Sequence, residues 1–135
     1  DNVNLGSRLE GLNKMYGTEI LIGENTARLV KDSFLLREID FVRVQGKKQP
    51  VRFYELLGIF SAALPEETEQ AFNYYADGLE AYRSRRFSDA IDLFEKGEKL
   101  YKEDKSFQVM ALRCRIYQRE PPKGEWDGVF RERRK

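Results

Sequence analysis

The chain has 135 residues, 41% apolar and 13% aromatic, enough to bury a core in one ordinary domain or two small ones. Its 24 basic and 23 acidic residues nearly cancel, so the broad positive field on which non-specific nucleic-acid binding depends is missing and no nucleic-acid partner is expected. One cysteine, Cys114, and no histidine exclude internal disulfides, thiolate or imidazole metal sites and His-assisted nucleophiles within the chain.

In chain order, Leu5, Leu9 and Leu12 recur at helical spacing, and Gly17 follows as a C-terminal stop. The run "TEILI" reads as a short buried strand. The stretch "GENTARLVKD" predicts a brief second helix with Leu29 and Val30 facing inward. Two runs rich in β-branched and aromatic residues, "FLLREIDFVRV" and "VRFYELLG", flank the turn formers of "QGKKQP" and predict an antiparallel hairpin. Residues 58–65 lack a clear period and form a linker ending in Pro65, well suited to open a helix.

From Glu66 to Gln118 the period is helical throughout. Phe72, Tyr75, Leu79 and Tyr82 make one stripe; "RRFS" makes a turn with Ser88 as expected N-cap; Ile91, Phe94 and Leu100 anchor a second helix. Phe107, Met110, Ala111 and Cys114 mark a third, in which Cys114 reads as a small buried hydrophobe. Small residues at Gly78, Ala90 and Gly97 allow helices to approach closely, with aromatics filling the flanking gaps. Together with Tyr74, Tyr82, Phe87 and Phe94 this spacing resembles one tetratricopeptide repeat (TPR), although "YKEDKS" stands where that repeat closes on a proline. Such units stack on neighbours, so the third helix is expected to cap the pair and the unit to offer a surface to a protein partner. In the tail, residues 119–135, Pro121 and Pro122 stop the helix and Gly124 permits a turn that returns Trp126, Val129 and Phe130 to the protein. The terminal "RERRK" reads as a solvated end.

Chemistry-bearing residues are few. Asn4 and Arg8, four apart, share one helix face. A guanidinium forks onto phosphate oxygens and an amide can both donate to and accept from a sugar, so the pair fits a phosphorylated, hydroxyl-bearing ligand; a solvated helix flank is the plainer alternative. The V-N-x-x-x-R core at Val3, Asn4 and Arg8, followed by the V-x-G-K turn at Val44, Gly46 and Lys47, resembles the C-terminal portion of the catalytic domain of class III adenylate/guanylate cyclases over residues 1–57. The resemblance implies a partial ferredoxin-like α/β segment with an antiparallel hairpin, followed by an all-α TPR-like hairpin and capping helix, giving an α+β chain.

It further implies that Asn4 orients the ribose of ATP or GTP while Arg8 stabilises charge on the α-phosphate as the 3′-hydroxyl attacks. The family places a lysine in the hairpin turn near the triphosphate. Here that place is held by Gln45, which cannot supply the charge, and Lys47 lies just beyond. The family's metal-binding aspartates lie upstream of the Asn/Arg helix, and Asp1 is not one of them. The expectation is therefore a piece of a cyclase, inactive alone, whose parent uses Mg or Mn and a homodimeric partner, with no metal or cofactor bound by this chain. The competing expectation is a non-catalytic interaction module on a cyclase scaffold. No apolar run reaches the roughly 18 residues of a membrane span, so a cytoplasmic place is expected, with membrane anchoring of a longer parent left open.

Overall fold

A computed structural model describes Leu9 and residues 11–43, 49–59 and 63–131. It is mixed α+β, and the chain divides into two compact units. One comprises the chain to Ala63 together with the residues from Val129 onward; the other is Leu64–Gly128.

Among the described residues the first unit is a four-stranded sheet with two helices. Helix α1 (residues 11–16) ends where Gly17 adopts a φ of 70°, a left-handed conformation that costs glycine little. The Thr18 N–H then donates to the Asn13 carbonyl at 3.1 Å and the Thr18 hydroxyl to the Asn13 side chain at 2.8 Å. This is the stop that Gly17 predicts. Strand β1 (Leu21–Gly23) and helix α2 (Glu24–Val30) follow, then the long hairpin of β2 (Phe34–Arg43) and β3 (Val51–Ile59). The sheet order is β1-β3-β2-β4, where β4 is Phe130–Arg131. Strand β3 is central, antiparallel to β1 through Leu21↔Glu55 and to β2 through Arg37↔Glu55 and Val42↔Val51.

Three local expectations are corrected here. The strand in "TEILI" starts at Leu21, leaving Ile20 half exposed. In α2 the buried residue is Ala27, and Leu29 is 85% exposed. Two residues on from Ala27 lie roughly 200° around a helix, so Ala27 and Leu29 cannot share the inward face. Arg131, read as the start of a frayed, solvated tail, is exposed as expected but pairs within β4; a two-residue strand has no period of its own to read.

The second unit is three helices: α3 (Glu66–Arg83), α4 (Phe87–Leu100) and α5 (Ser106–Arg119). Its core holds Tyr75, Leu79, Tyr82, Ile91, Phe94, Phe107, Met110 and Cys114, the residues the helical period selects. The small positions are close approaches. A Cβ at Gly78 would lie 2.7 Å from the Phe94 ring, and one at Gly97 would overlap the Phe107 ring and stand 3.1 Å from the Ala71 carbonyl oxygen. Pro65 precedes α3 as expected. Helix α4, however, begins at Phe87, and no side chain caps it. Burial of Phe87 against Tyr82 draws the start two residues earlier and leaves Ser88 inside the helix. At the start of α5 the N-cap Lys105 makes no side-chain cap bond, but the carboxylate of Asp104 just ahead of it accepts from the Ser106 N–H at 2.9 Å and the Ser106 hydroxyl at 2.6 Å.

Candidate functional site

All four residues singled out for chemistry, Asn4, Arg8, Gln45 and Lys47, lie outside the described residues. The structure describes what lies near them in the chain: helix α1, and the two strands that flank residues 44–48.

These elements are pinned by buried polar groups. The Tyr16 hydroxyl, at the end of α1, donates to the Asp40 carboxylate on β2, and both side chains are fully buried. The other Asp40 oxygen accepts the Phe41 N–H at 2.8 Å. Three residues before Asp40 on β2, Arg37 faces Glu55 on β3, joined at 3.2 Å and both nearly inaccessible to water. Nearer the solvent, Arg52 pairs with Glu38 at 2.9 Å, and its guanidinium lies 4.3 Å from the centre of the Phe41 ring. A buried charge with its partner removed is costly, so these contacts dictate how α1 and the hairpin are held more than they add net stability.

Tyr16, Arg37, Asp40 and Glu55 are what reading the sequence for chemistry misses. A signal exists: "FLLREIDFVRV" sets charged residues into an otherwise apolar strand, and opposite charges face each other only when the hairpin is aligned with its register shifts, one of which falls between Glu38 and Asp40. The register, a non-local property, carries the information.

Other chemistry is sparse. Among the described residues no three histidine, cysteine, aspartate or glutamate side chains stand together as a metal-binding group. The Cys114 thiol is buried, and burial pushes its pKa up to about 12 against the weaker pull of Arg113 and Arg115, so it is not a nucleophile. No described helix is long and apolar enough to cross a membrane.

Comparison with known proteins points one way. The chain is 29% identical over 117 residues to the terminal-differentiation-specific adenylate cyclase of Dictyostelium discoideum, a match covering 84% of this chain and therefore reaching into both units. It is 48% identical over 59 residues to an adenylate cyclase of Anabaena cylindrica and 34% identical over 71 residues to adenylate cyclase 1 of Rhizobium meliloti. Those matches cover 42% and 53% of the chain. The chain spans only 6%, 12% and 11% of the lengths of these three proteins. No family model matches it, and no solved structure does. It is a cyclase-related segment.

Proposed function

We propose that the chain is the C-terminal part of a class III cyclase catalytic domain with a TPR-like helical extension, and that its parent converts a nucleoside triphosphate, ATP before GTP, to a cyclic nucleotide. The observation that carries this reading is the 117-residue similarity to an adenylate cyclase, which is too long to lie within either unit alone.

In this reading Asn4 orients the ribose and Arg8 stabilises the charge that develops on the α-phosphate, work done by positioning and electrostatics. Lys47 contacts the triphosphate weakly, Gln45 having replaced the family's lysine. Among the described residues no three His, Cys, Asp or Glu side chains stand together as a metal-binding group; in this reading acids elsewhere in the parent hold Mg or Mn. A second cyclase chain completes the enzyme. The helical extension offers a surface to a protein partner, and its TPR-like character is supported by the close approaches at Gly78 and Gly97 and by full burial of Ala90.

The test is Arg8→Ala in the full-length parent. Turnover is expected to fall on the order of a hundredfold or more with KM for the triphosphate little changed, because the lost interaction belongs to the transition state. Unchanged turnover overturns the assignment and favours the non-catalytic module, the reading to which Gln45 lends support. The 135-residue chain alone, given ATP or GTP with manganese, is expected to yield no cyclic product.

A further inference from the structure

Helix α5 is apolar on two faces. Its inner face, Phe107, Met110, Ala111 and Cys114, is spent in the core. On the outer side Lys105, Val109, Leu112, Ile116 and Arg119 follow one another at steps of four, three, four and three residues, the spacing of a coiled-coil seam. Lys105 is the N-cap, and its carbonyl already accepts the Val109 N–H at 2.9 Å, so all five ride on one helical ladder. Leu112 is 58% exposed and Ile116 41%, and among the described residues they are the only exposed large apolar side chains of the helical unit. Val109 is half-buried, and both cations are exposed. A helix that ended a stack of repeats would keep this face polar.

Within the helical unit the line stays uncovered. Trp126, the large apolar residue that the tail returns, is placed elsewhere: its indole N–H donates to the Tyr82 carbonyl at 3.3 Å, and its ring stands edge-on to Tyr82 at 5.4 Å and to Tyr117 at 5.6 Å between centroids. The flank of α5 toward α4 is already paired, Gln108 donating to Glu98 at 2.6 Å and Arg115 to Glu95. Helix α5 itself carries three arginines and no carboxylate; Glu120 follows at the C-cap, where φ is −130° and the helix has ended. The line is therefore apolar in its middle and positive at both ends. Two copies cannot pair along it without conflict. In parallel, Lys105 meets Lys105 and Arg119 meets Arg119; antiparallel about Leu112, Lys105 of one copy meets Arg119 of the other. A partner that is apolar in the middle and acidic at both ends meets no such conflict.

We propose that the outer line of α5 is the docking seam for an acidic amphipathic helix of a protein partner, with apolar residues at heptad spacing against Val109, Leu112 and Ile116 and a carboxylate at each end against Lys105 and Arg119. The apolar middle supplies the attraction, and the charged ends select the partner and reject a second copy. A line this narrow suits a helix better than a lipid surface, which takes a broad apolar face. The seam gives a place and a chemistry to the partner surface of the helical unit and rests on that reading; it makes no use of the cyclase assignment.

The test uses the 135-residue chain and two synthetic peptides of about three heptads, with leucine at the seam positions and either glutamate or lysine at the seam's ends. Fluorescence anisotropy of the labelled peptides should show the glutamate peptide bound about tenfold more tightly than the lysine peptide, a ratio that falls at high salt. Leu112→Glu should abolish binding, and Lys105→Glu with Arg119→Glu should invert the preference. Unchanged helical circular dichroism and Trp126 emission certify the fold of each variant, since these side chains are exposed on the face away from the core. Glutamate-peptide binding that survives Leu112→Glu overturns the seam but keeps the helical unit as a partner surface; binding of neither peptide overturns the seam and leaves that surface without a partner chemistry. A preference that the charge swap fails to invert also overturns it. So does a wild-type dimer in sedimentation that Leu112→Glu dissociates, which would give the face to a second copy, and so does binding to phosphatidylserine vesicles without peptide binding, which would give it to a lipid surface.

Discussion

The two units solve the problem of a small core in opposite ways. The helical unit fills its centre with rings: Tyr75 meets Phe94 at 5.2 Å and Phe107 at 5.1 Å, both edge-on, and glycines stand where the helices nearly touch. The sheet unit places charge at its centre, with Asp40 under Tyr16 and Arg37 against Glu55. The first core is limited by volume and the second by charge. Each should therefore fail under the change that the other tolerates.

The largest effect is expected in the sheet. Glu55→Ala leaves the Arg37 guanidinium buried against an apolar side chain, and breaking a buried pair in this way costs about 3–5 kcal/mol. The double variant Arg37→Met, Glu55→Leu should recover most of that loss, because the cost lies in a buried charge stripped of Glu55 and not in the pair's absence. Denaturant unfolding followed by exchange of β2 and β3 amides measures both. A single variant within 1 kcal/mol of wild type would mean that water reaches this pair, and the contrast between the two cores would collapse.

In the helices the corresponding change is a single methyl. Gly97→Ala gains about 1 kcal/mol of helix propensity, yet its Cβ overlaps the Phe107 ring and presses on the Ala71 carbonyl. Overpacking of this kind costs about 1–3 kcal/mol, so a net loss is expected in thermal unfolding followed by helical circular dichroism. Gly78→Ala should cost less, because its Cβ meets only the side chain of Phe94. If Gly97→Ala stabilises the chain, α4 and α5 are less closely packed than described.

The same contrast explains what the sequence disclosed. Helical order is local, so Phe72, Tyr75, Leu79 and Tyr82 announce α3, and Gly17 announces the end of α1, from residues a few positions apart. Even there a short element misleads: α2 has too few turns for Leu29 and Ala27 to be told apart by period alone. Sheet order is non-local. The pairing of Phe130 with Val42, and of Arg37 with Glu55 past a register shift, depends on where distant segments meet. Asn4 and Arg8 are legible from their spacing and the V-N-x-x-x-R resemblance, whereas Tyr16 and Asp40, which secure α1 to the sheet, are visible only where α1 lies against β2.

The smallest expected effect concerns a thiol in the aromatic core. Cys114 has no exposure to water, and burial raises its thiol from an ordinary value of 9.0 to about 12. In the unfolded chain the thiol loses its proton near pH 9, while the folded chain keeps it until about pH 12. Between those values the unfolded state binds fewer protons, so the stability linked to this group is fully present below pH 9 and declines as pH rises toward 12. One pH unit above the unfolded value the loss is about 1 kcal/mol. Lysines and tyrosines titrate in the same range, so the measurement is the difference in pH slope between wild type and Cys114→Ala, whose cavity cost does not change with pH. Wild type should lose stability more steeply from pH 9 to 10.5, and its thiol should resist iodoacetamide at pH 8.5 until the chain is unfolded. Equal slopes with rapid labelling of the native chain would show that water enters the helical core at Cys114, and a core open to water there could not be one limited by volume alone.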